Sequence, residues 1–287
     1  MAEQELRCFV GTTGLTALRK VHAINTPLDA DLLASADVFF FGGSGAYSVL
    51  DTHAWVKNML GFLCRVVDAR KPAWASCFGF QGLSLALGGE VNRDDARQEL
   101  GAFPIDRVPG VADPVFDVAP GTFYAQLGHH DHVDVLPPGV TLLATGRAIQ
   151  NQAFRVDGAP FWAAQFHPEL RKATTLERWN YYRSHYSGDP ATADRIDRVM
   201  MESPDTPEAE GIIRQFVKVA QEHILGGGAR WPSRRPARLG ICLIGSRSYA
   251  SRFGAALPNN RRTSPGSCGL LLGCGPPRSL RWPSSRA

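Results

Sequence analysis

The sequence predicts an α/β protein, an open and mostly parallel sheet with helices on its faces. Three observations carry that expectation. The run 36–41 (ADVFFF) is apolar and stops at Gly42-Gly43-Ser44-Gly45; a second apolar run, Ala73–Ser76, stops at Cys77; and each stop is followed by residues with helical periodicity. With 287 residues, 44% hydrophobic and 20% charged, the chain has ample apolar surface for a buried core.

The first run is dense in aromatics and reads as a strand buried on both faces. Asp51 or Thr52 then caps a helix that puts Trp55, Val56, Met59, Leu60, Leu63 and Val67 on one face. Lys71-Pro72 opens the second strand, and the helix after Cys77 runs to Leu87, ended by Gly88-Gly89. Residues 90–160, rich in Pro and Asp with short apolar stretches, predict β-excursions and loops laid on the sheet. Residues 153–156 and 161–166 flank Asp157-Gly158, a tight-hairpin dipeptide, and deliver His167, Pro168 and Glu169 to a strand end. Two more helices start near Thr175 and at Thr206-Pro207.

The formal charge of +4 divides unevenly. Residues 226–287 hold 11 Arg and no Lys, Asp, Glu or His, which leaves 20 basic and 27 acidic residues in 1–225, a net of −7. The tail also carries 10 Gly, 7 Pro and 9 Ser without sustained apolar periodicity, a composition that does not offset its ordering entropy. The expected division is a domain at 1–225 and a disordered tail at 226–287. An Arg-rich arm binds polyanions through counterion release. Without interleaved aromatics or an amphipathic face, however, nucleic acid is not indicated as a partner. No apolar run approaches the roughly 18 residues that cross a bilayer, and residues 1–10 do not read as a secretory signal, so the expectation is a cytoplasmic protein without a membrane partner. No C-x-x-C pair signals a cysteine zinc site.

Cys77 lies between a strand and a helix, where a strained turn exposes the side chain and the helix N-terminus supplies free N–H groups. Those groups, and a protonated imidazole nearby, favour the thiolate that attacks a carbonyl carbon. His167 supplies the imidazole if the hairpin ends at the same sheet edge, and Glu169, two residues on in extended chain, points the same way and orients it. This is triad logic in the order Cys77, His167, Glu169. Ligands in open α/β sheets collect at the carboxyl ends of strands, which agrees with this placement. The stretch His129-His130-Asp131-His132 invites a metal reading, but neighbours on extended backbone point apart and no fourth ligand is indicated, so no metal is expected. No phosphate-binding glycine motif is complete, and no cofactor is expected.

Ala75-Ser76-Cys77-Phe78-Gly79-Phe80-Gln81, followed ninety residues later by His167-Pro168-Glu169, resembles class I glutamine amidotransferases, whose elbow reads G-x-C-x-G-x-Q and whose second motif is H-P-E. The Gly42-Gly43 loop matches their oxyanion loop. Leu87-Gly88-Gly89-Glu90-Val91, Gly128-His129-His130-Asp131 and Asn151-Gln152-Ala153-Phe154 look like the small GMP-synthase-like members and the related γ-glutamyl peptidases. The resemblance spans roughly residues 30–225 and implies a flavodoxin-like open sheet. It also implies glutamine hydrolysis: Cys77 attacks the side-chain amide, His167 passes a proton to ammonia, and water cleaves a γ-glutamyl thioester. By the same resemblance, Gly43 and Phe78 N–H groups hold the oxyanion, Gln81 and His129 seat the substrate, and a synthase partner accepts the ammonia. Two alternatives stand beside this reading: a γ-glutamyl peptide hydrolase with the same triad, and a non-catalytic, truncated domain.

This chain departs from the pattern at three places. Ala75 and Ser76 stand where the elbow usually has glycine and an aliphatic residue. Family members open with a strongly apolar central strand, whereas here residues 7–10 are the sole strand-like stretch before Val21-His22-Ala23-Ile24. One core strand is therefore expected to be missing or makeshift, at a cost comparable to a domain's net stability.

Overall fold

A computed structural model describes residues 1–186, 190–226 and 239–243. In chain order these form α1 (Ala2–Thr13), β1 (Arg19–His22), α2 (Ala30–Ala34), β2 (Val38–Phe41), α3 (Ala54–Asp68), β3 (Ala73–Ser76), α4 (Phe78–Ala86), β4 (Glu90–Arg93), β5 (Glu99–Arg107), β6 (Thr122–His129), β7 (Asp131–Val135), β8 (Val140–Gly146), β9 (Ala153–Val156), β10 (Phe161–Ala164), α5 (Lys172–Tyr186), α6 (Pro190–Glu202), α7 (Pro207–Ile224) and β11 (Leu239–Leu243).

Nine strands make one sheet in the order β1-β11-β2-β3-β10-β9-β8-β5-β6, and β4 pairs with β7 apart from it. The half from β1 to β10 is parallel; from β10 onward every pairing is antiparallel. The predicted excursions of 90–160 are thus mostly not laid on the sheet but extend its edge. The extension also curls: β6 closes the strand order, yet Gln126 in it accepts a 2.8 Å hydrogen bond from the His167 amide just beyond β10.

Period-two alternation divides the core between the two faces. In β2, Phe39 and Phe41 join Phe62, Met59 and Leu63 of α3 and Phe78 and Leu83 of α4, while Val38 and Phe40 join Phe9 of α1 and Ile213 and Phe216 of α7. All four β2 residues are buried, as the apolar run predicts for a strand covered on both sides. Gly79 at the start of α4 shows how close the layers are. A Cβ there would lie 2.8 Å from Phe41 Cβ and 3.0 Å from Phe41 O. We expect Gly79→Ala to cost about 1–3 kcal/mol of stability through overpacking, read as a lower urea midpoint at unchanged slope; an unchanged midpoint would refute that packing argument.

Three local readings are corrected. The helix after β2 begins at Ala54 with His53 at the cap; Asp51 instead accepts the Ser48 amide at 2.9 Å, so neither Asp51 nor Thr52 caps it. The buried face of α3 is Val56, Met59, Phe62, Leu63 and Val66, because the sheet lies slightly to one side of the stripe predicted. Residues 7–10, strand-like by composition, belong to α1: Glu3 and Glu5 occupy its first turn, and Gly14, at φ 72°, closes it through a hydrogen bond to Val10 O.

The expected strand gap is filled from an unanticipated place. Leu239–Leu243 lies between β1 and β2, parallel to both, with Gly240 opposite Arg19 and Phe39. The boundary drawn at 225 therefore cuts off a strand of the sheet. The physical reason is plain in three dimensions: LGICL is a short apolar run in an otherwise polar stretch, and β1 and β2 present unpaired edges that only a strand can satisfy. The remainder of 227–287, for which composition predicts disorder, lies outside the described residues. Among the described residues no helix is long and apolar enough to cross a membrane.

Candidate active site

Cys77 sits at the end of β3 with φ 50° and ψ −102°, a positive-φ conformation that costs a non-glycine residue about 1–3 kcal/mol. Its amide donates to Ala164 O at 2.8 Å and its carbonyl accepts from the Gln81 amide at 2.9 Å, so the sharp turn is tied to β10 on one side and to α4 on the other. Register puts Ala164 opposite Ser76. The chain leaving β10 therefore runs beside the elbow and brings His167 to it.

His167 is 4% exposed. Its Nδ1 lies 2.5 Å from Glu169 Oε1, and the Cys77 side chain lies beside the same imidazole across Gly43. Gly43 packs against both: a Cβ there would be 2.6 Å from His167 Cε1 and 3.7 Å from Cys77 Cβ. The tip of the β2 loop thus touches the two side chains that the sequence placed ninety residues apart. Phe78 opens α4, where helix N–H groups lack intrahelical acceptors, so the Gly43 and Phe78 amides border the elbow.

The charge pattern is set by burial and pairing. Burial pushes the His167 imidazole down, but the Glu169 carboxylate and the bond with Cys77 outweigh it, and the group is pushed up to about 9. Burial pushes Glu169 up, while the positive His167 and Arg178 hold its carboxyl below the usual range. Because the folded imidazole binds its proton more tightly than the ordinary 6.5, its stabilising share is complete below pH 6.5 and is lost as pH rises through about 9. Urea unfolding free energies are expected to decline over that window and to flatten in Glu169→Gln, which removes the main raising charge. A parent profile flat from pH 6.5 to 9 would contradict the pairing.

Two residues without a local signal complete the surroundings. Ser76 donates to Glu169 Oε2 at 3.0 Å and accepts from Trp74 Nε1 at 2.9 Å, so the residue that departs from the elbow pattern holds the far oxygen of the carboxylate. Its only sequence signal is that departure. Arg178 of α5 is half-buried near Glu5 and Glu169. Nothing in the helical pattern around it announces this.

Gln81 lines a polar cavity of about 230 Å³ with Cys77, Ser48, Asp131, His129 and Arg93. Its Nε2 donates to Asp131 O at 2.6 Å and Gln165 Oε1 at 3.2 Å. His129 borders the same cavity, but both ring nitrogens are used within the protein, on Glu99 Oε2 and Asp131 O, each at 3.0 Å. Its imidazole therefore holds the loop beside the pocket, with a nitrogen on the buried Glu99. The neighbouring residues diverge, His130 toward Asp95 and Asp131 toward Ser48. A second cavity of about 70 Å³ meets the first along Ser44, Gly45, Cys77 and Gly128, and is walled by His167, Glu5, Arg178, Leu127, Trp179 and Met200.

An open α/β sheet with a positive-φ cysteine between strand and helix, beside a buried histidine–carboxylate pair, defines the class of elbow-cysteine α/β proteins. Residues 13–179 match the family model of class-I glutamine amidotransferases, and the chain belongs to that family. Among similar proteins, a glutamine-hydrolyzing GMP synthase subunit from Methanocaldococcus jannaschii is 32% identical over 105 residues, 36% of this chain and 54% of that one. The glutamine-hydrolyzing GMP synthase of Xanthomonas axonopodis pv. citri is 33% identical over 123 residues, 40% of this chain and 23% of that one. The chain thus spans about a quarter to a half of the relatives it matches. A crystal structure of a glutamine amidotransferase from Thermotoga maritima shares the fold at TM-score 0.52 and 19% identity, covering 71% of this chain and 96% of that one.

Proposed function

We propose that the protein hydrolyses the side-chain amide of glutamine through Cys77, His167 and Glu169. The observation that supports this most directly is the buried 2.5 Å pair of His167 and Glu169, with Cys77 beside the same ring at the Gly43 loop. Cys77 Sγ attacks the γ-carbonyl carbon, and the oxyanion draws on the Gly43 and Phe78 amides. His167 then protonates the departing nitrogen, and ammonia leaves a γ-glutamyl thioester. Water, deprotonated by the same imidazole, cleaves the thioester to glutamate. Glu169 keeps the ring oriented and balances its charge, with Ser76 holding the carboxylate in place. The polar cavity bordered by Gln81 takes the amino-acid end of the substrate. A synthase partner that uses the ammonia fits the relatives named above.

A second reading, γ-glutamyl peptide hydrolysis, is favoured by one feature: the cavity on the His167 side has Leu127, Trp179 and Met200 in its wall, an apolar lining that suits a bulkier leaving amine than ammonia. Purified full-length protein assayed with glutamine and with γ-glutamyl dipeptides separates the two by the ratio of kcat/KM values. Release of neither ammonia nor an amino acid, with no modification of Cys77 by an electrophilic glutamine analogue, would remove both.

A further inference from the structure

The Gly43 amide is already occupied. It donates a buried 2.9 Å hydrogen bond to Glu5 Oε1, brought from α1. A Cβ on Gly42 would fall 2.3 Å from the same oxygen, so the carboxylate lies flat on the Gly42-Gly43 loop. Glu5 is 3% exposed and shares the apolar-walled cavity with Cys77 and His167. The first turns of α1 are fastened to α5: Gln4 donates to Thr174 O at 2.7 Å, Arg178 Nε donates to Gln4 Oε1 at 2.8 Å, Arg178 reaches Glu5 at 3.5 Å, and Arg7 pairs with Glu177 at 3.2 Å. One turn later the helix is anchored differently, by Phe9 in full burial against Phe40.

We propose that Glu5 is an intramolecular inhibitor, its γ-carboxylate taking the Gly43 amide that the substrate's γ-carbonyl oxygen needs, so that turnover requires the first turn of α1 to withdraw. The inference rests on the glutamine-hydrolysis reading above. The chemistry is product mimicry: hydrolysis of glutamine ends in a γ-carboxylate, and Glu5 presents the same group to the same donor. An N–H bound to a charged oxygen is not surrendered to a neutral amide oxygen, because hydrogen bonds to ions are about twice as strong. Burial raises the Glu5 carboxyl and the charge of Glu169 adds to the effect, against Arg178 and the Gly43 bond. The turn carrying Glu5 is held by polar contacts, while the apolar anchor at Phe9 stays behind as the pivot.

The test compares the parent with Glu5→Ala and Glu5→Gln, reading the rate at which an electrophilic glutamine analogue modifies Cys77 and the rate of ammonia release. Glu5→Ala frees the amide and should react about tenfold faster or more, the weight of one hydrogen bond to a charged group. Glu5→Gln keeps an acceptor oxygen but not its charge and should react at a rate between those of the parent and Glu5→Ala. Acetate should slow Glu5→Ala, by refilling the vacated position, and leave the parent unaffected. Gln4→Ala, which loosens the turn without touching the loop, should also accelerate modification and serves if Glu5→Ala does not fold. Equal or slower modification in folded Glu5→Ala and Gln4→Ala would overturn the inference even if the parent releases ammonia. Faster modification without ammonia release would uphold it and count against the hydrolysis reading alone.

Discussion

Cys77→Ala should lower amide hydrolysis by about 10⁴-fold or more while leaving the fold in place. Members of a nucleophile–base pair act as a unit, so removing the sulfur forfeits the covalent route and leaves only whatever the amides and binding contribute. Stability should change little, because the thiol's contact outside the imidazole is a weak 3.9 Å approach to Gly128 O and the turn is held by backbone bonds to Ala164 and Gln81. Cys77→Gly sharpens the argument. Glycine relieves the strain at φ 50° and should match or exceed the parent in stability, yet be equally inactive. Steady-state ammonia release and thermal melting of both variants decide the matter. An active alanine variant would show that the elbow sulfur is not the nucleophile.

Ending the chain at Leu225 should abolish cooperative folding or lower stability by about 5 kcal/mol or more, which is as much as many domains possess. The truncation removes β11, which pairs with β1 on one side and β2 on the other. Backbone groups in the middle of a sheet, covered on both faces, find no water to replace the lost partners, and each one stranded costs about 1–3 kcal/mol. β2 carries the loop with Gly43, so its displacement also removes one wall of the site. Circular dichroism melting of the shortened and full chains is the measurement. Identical transitions would show that 239–243 is dispensable to the sheet.

The two outcomes probe features that are legible in the sequence to different degrees. Cys77, His167 and Glu169 are readable because each sits next to a strong local punctuation: a strand end and glycine-flanked helix at 77, an Asp-Gly hairpin just before 167. The hairpin's short turn leaves little freedom in where His167 lands, and β10 pairs with β3 as that reading requires. The hydrophobic runs of β2 and β3 are readable for the same reason, since burial on both faces demands unbroken apolar sequence. Ser76 is half readable, as an exception to a pattern whose purpose emerges only when Glu169 is placed beside it.

Glu5, Arg178 and β11 are not readable. Each owes its role to a partner far away in sequence, and each is locally ordinary: an acidic residue in a first helical turn, an arginine in a helix, a five-residue apolar run in a polar stretch. The bond of His129 Nε2 to Glu99, thirty residues earlier, is unreadable in the same way.

By itself the sequence determined the class of fold and the family, and it pointed to the three side chains proposed for the chemistry, because strand burial, turn geometry and elbow placement are written in spacings of a few residues. Tertiary structure alone decided which strand completes the sheet and which carboxylate rests on the Gly43 amide. Both depend on contacts across the fold, where what matters is an unpaired edge or an available donor, and no short window of residues records which distant group will satisfy it.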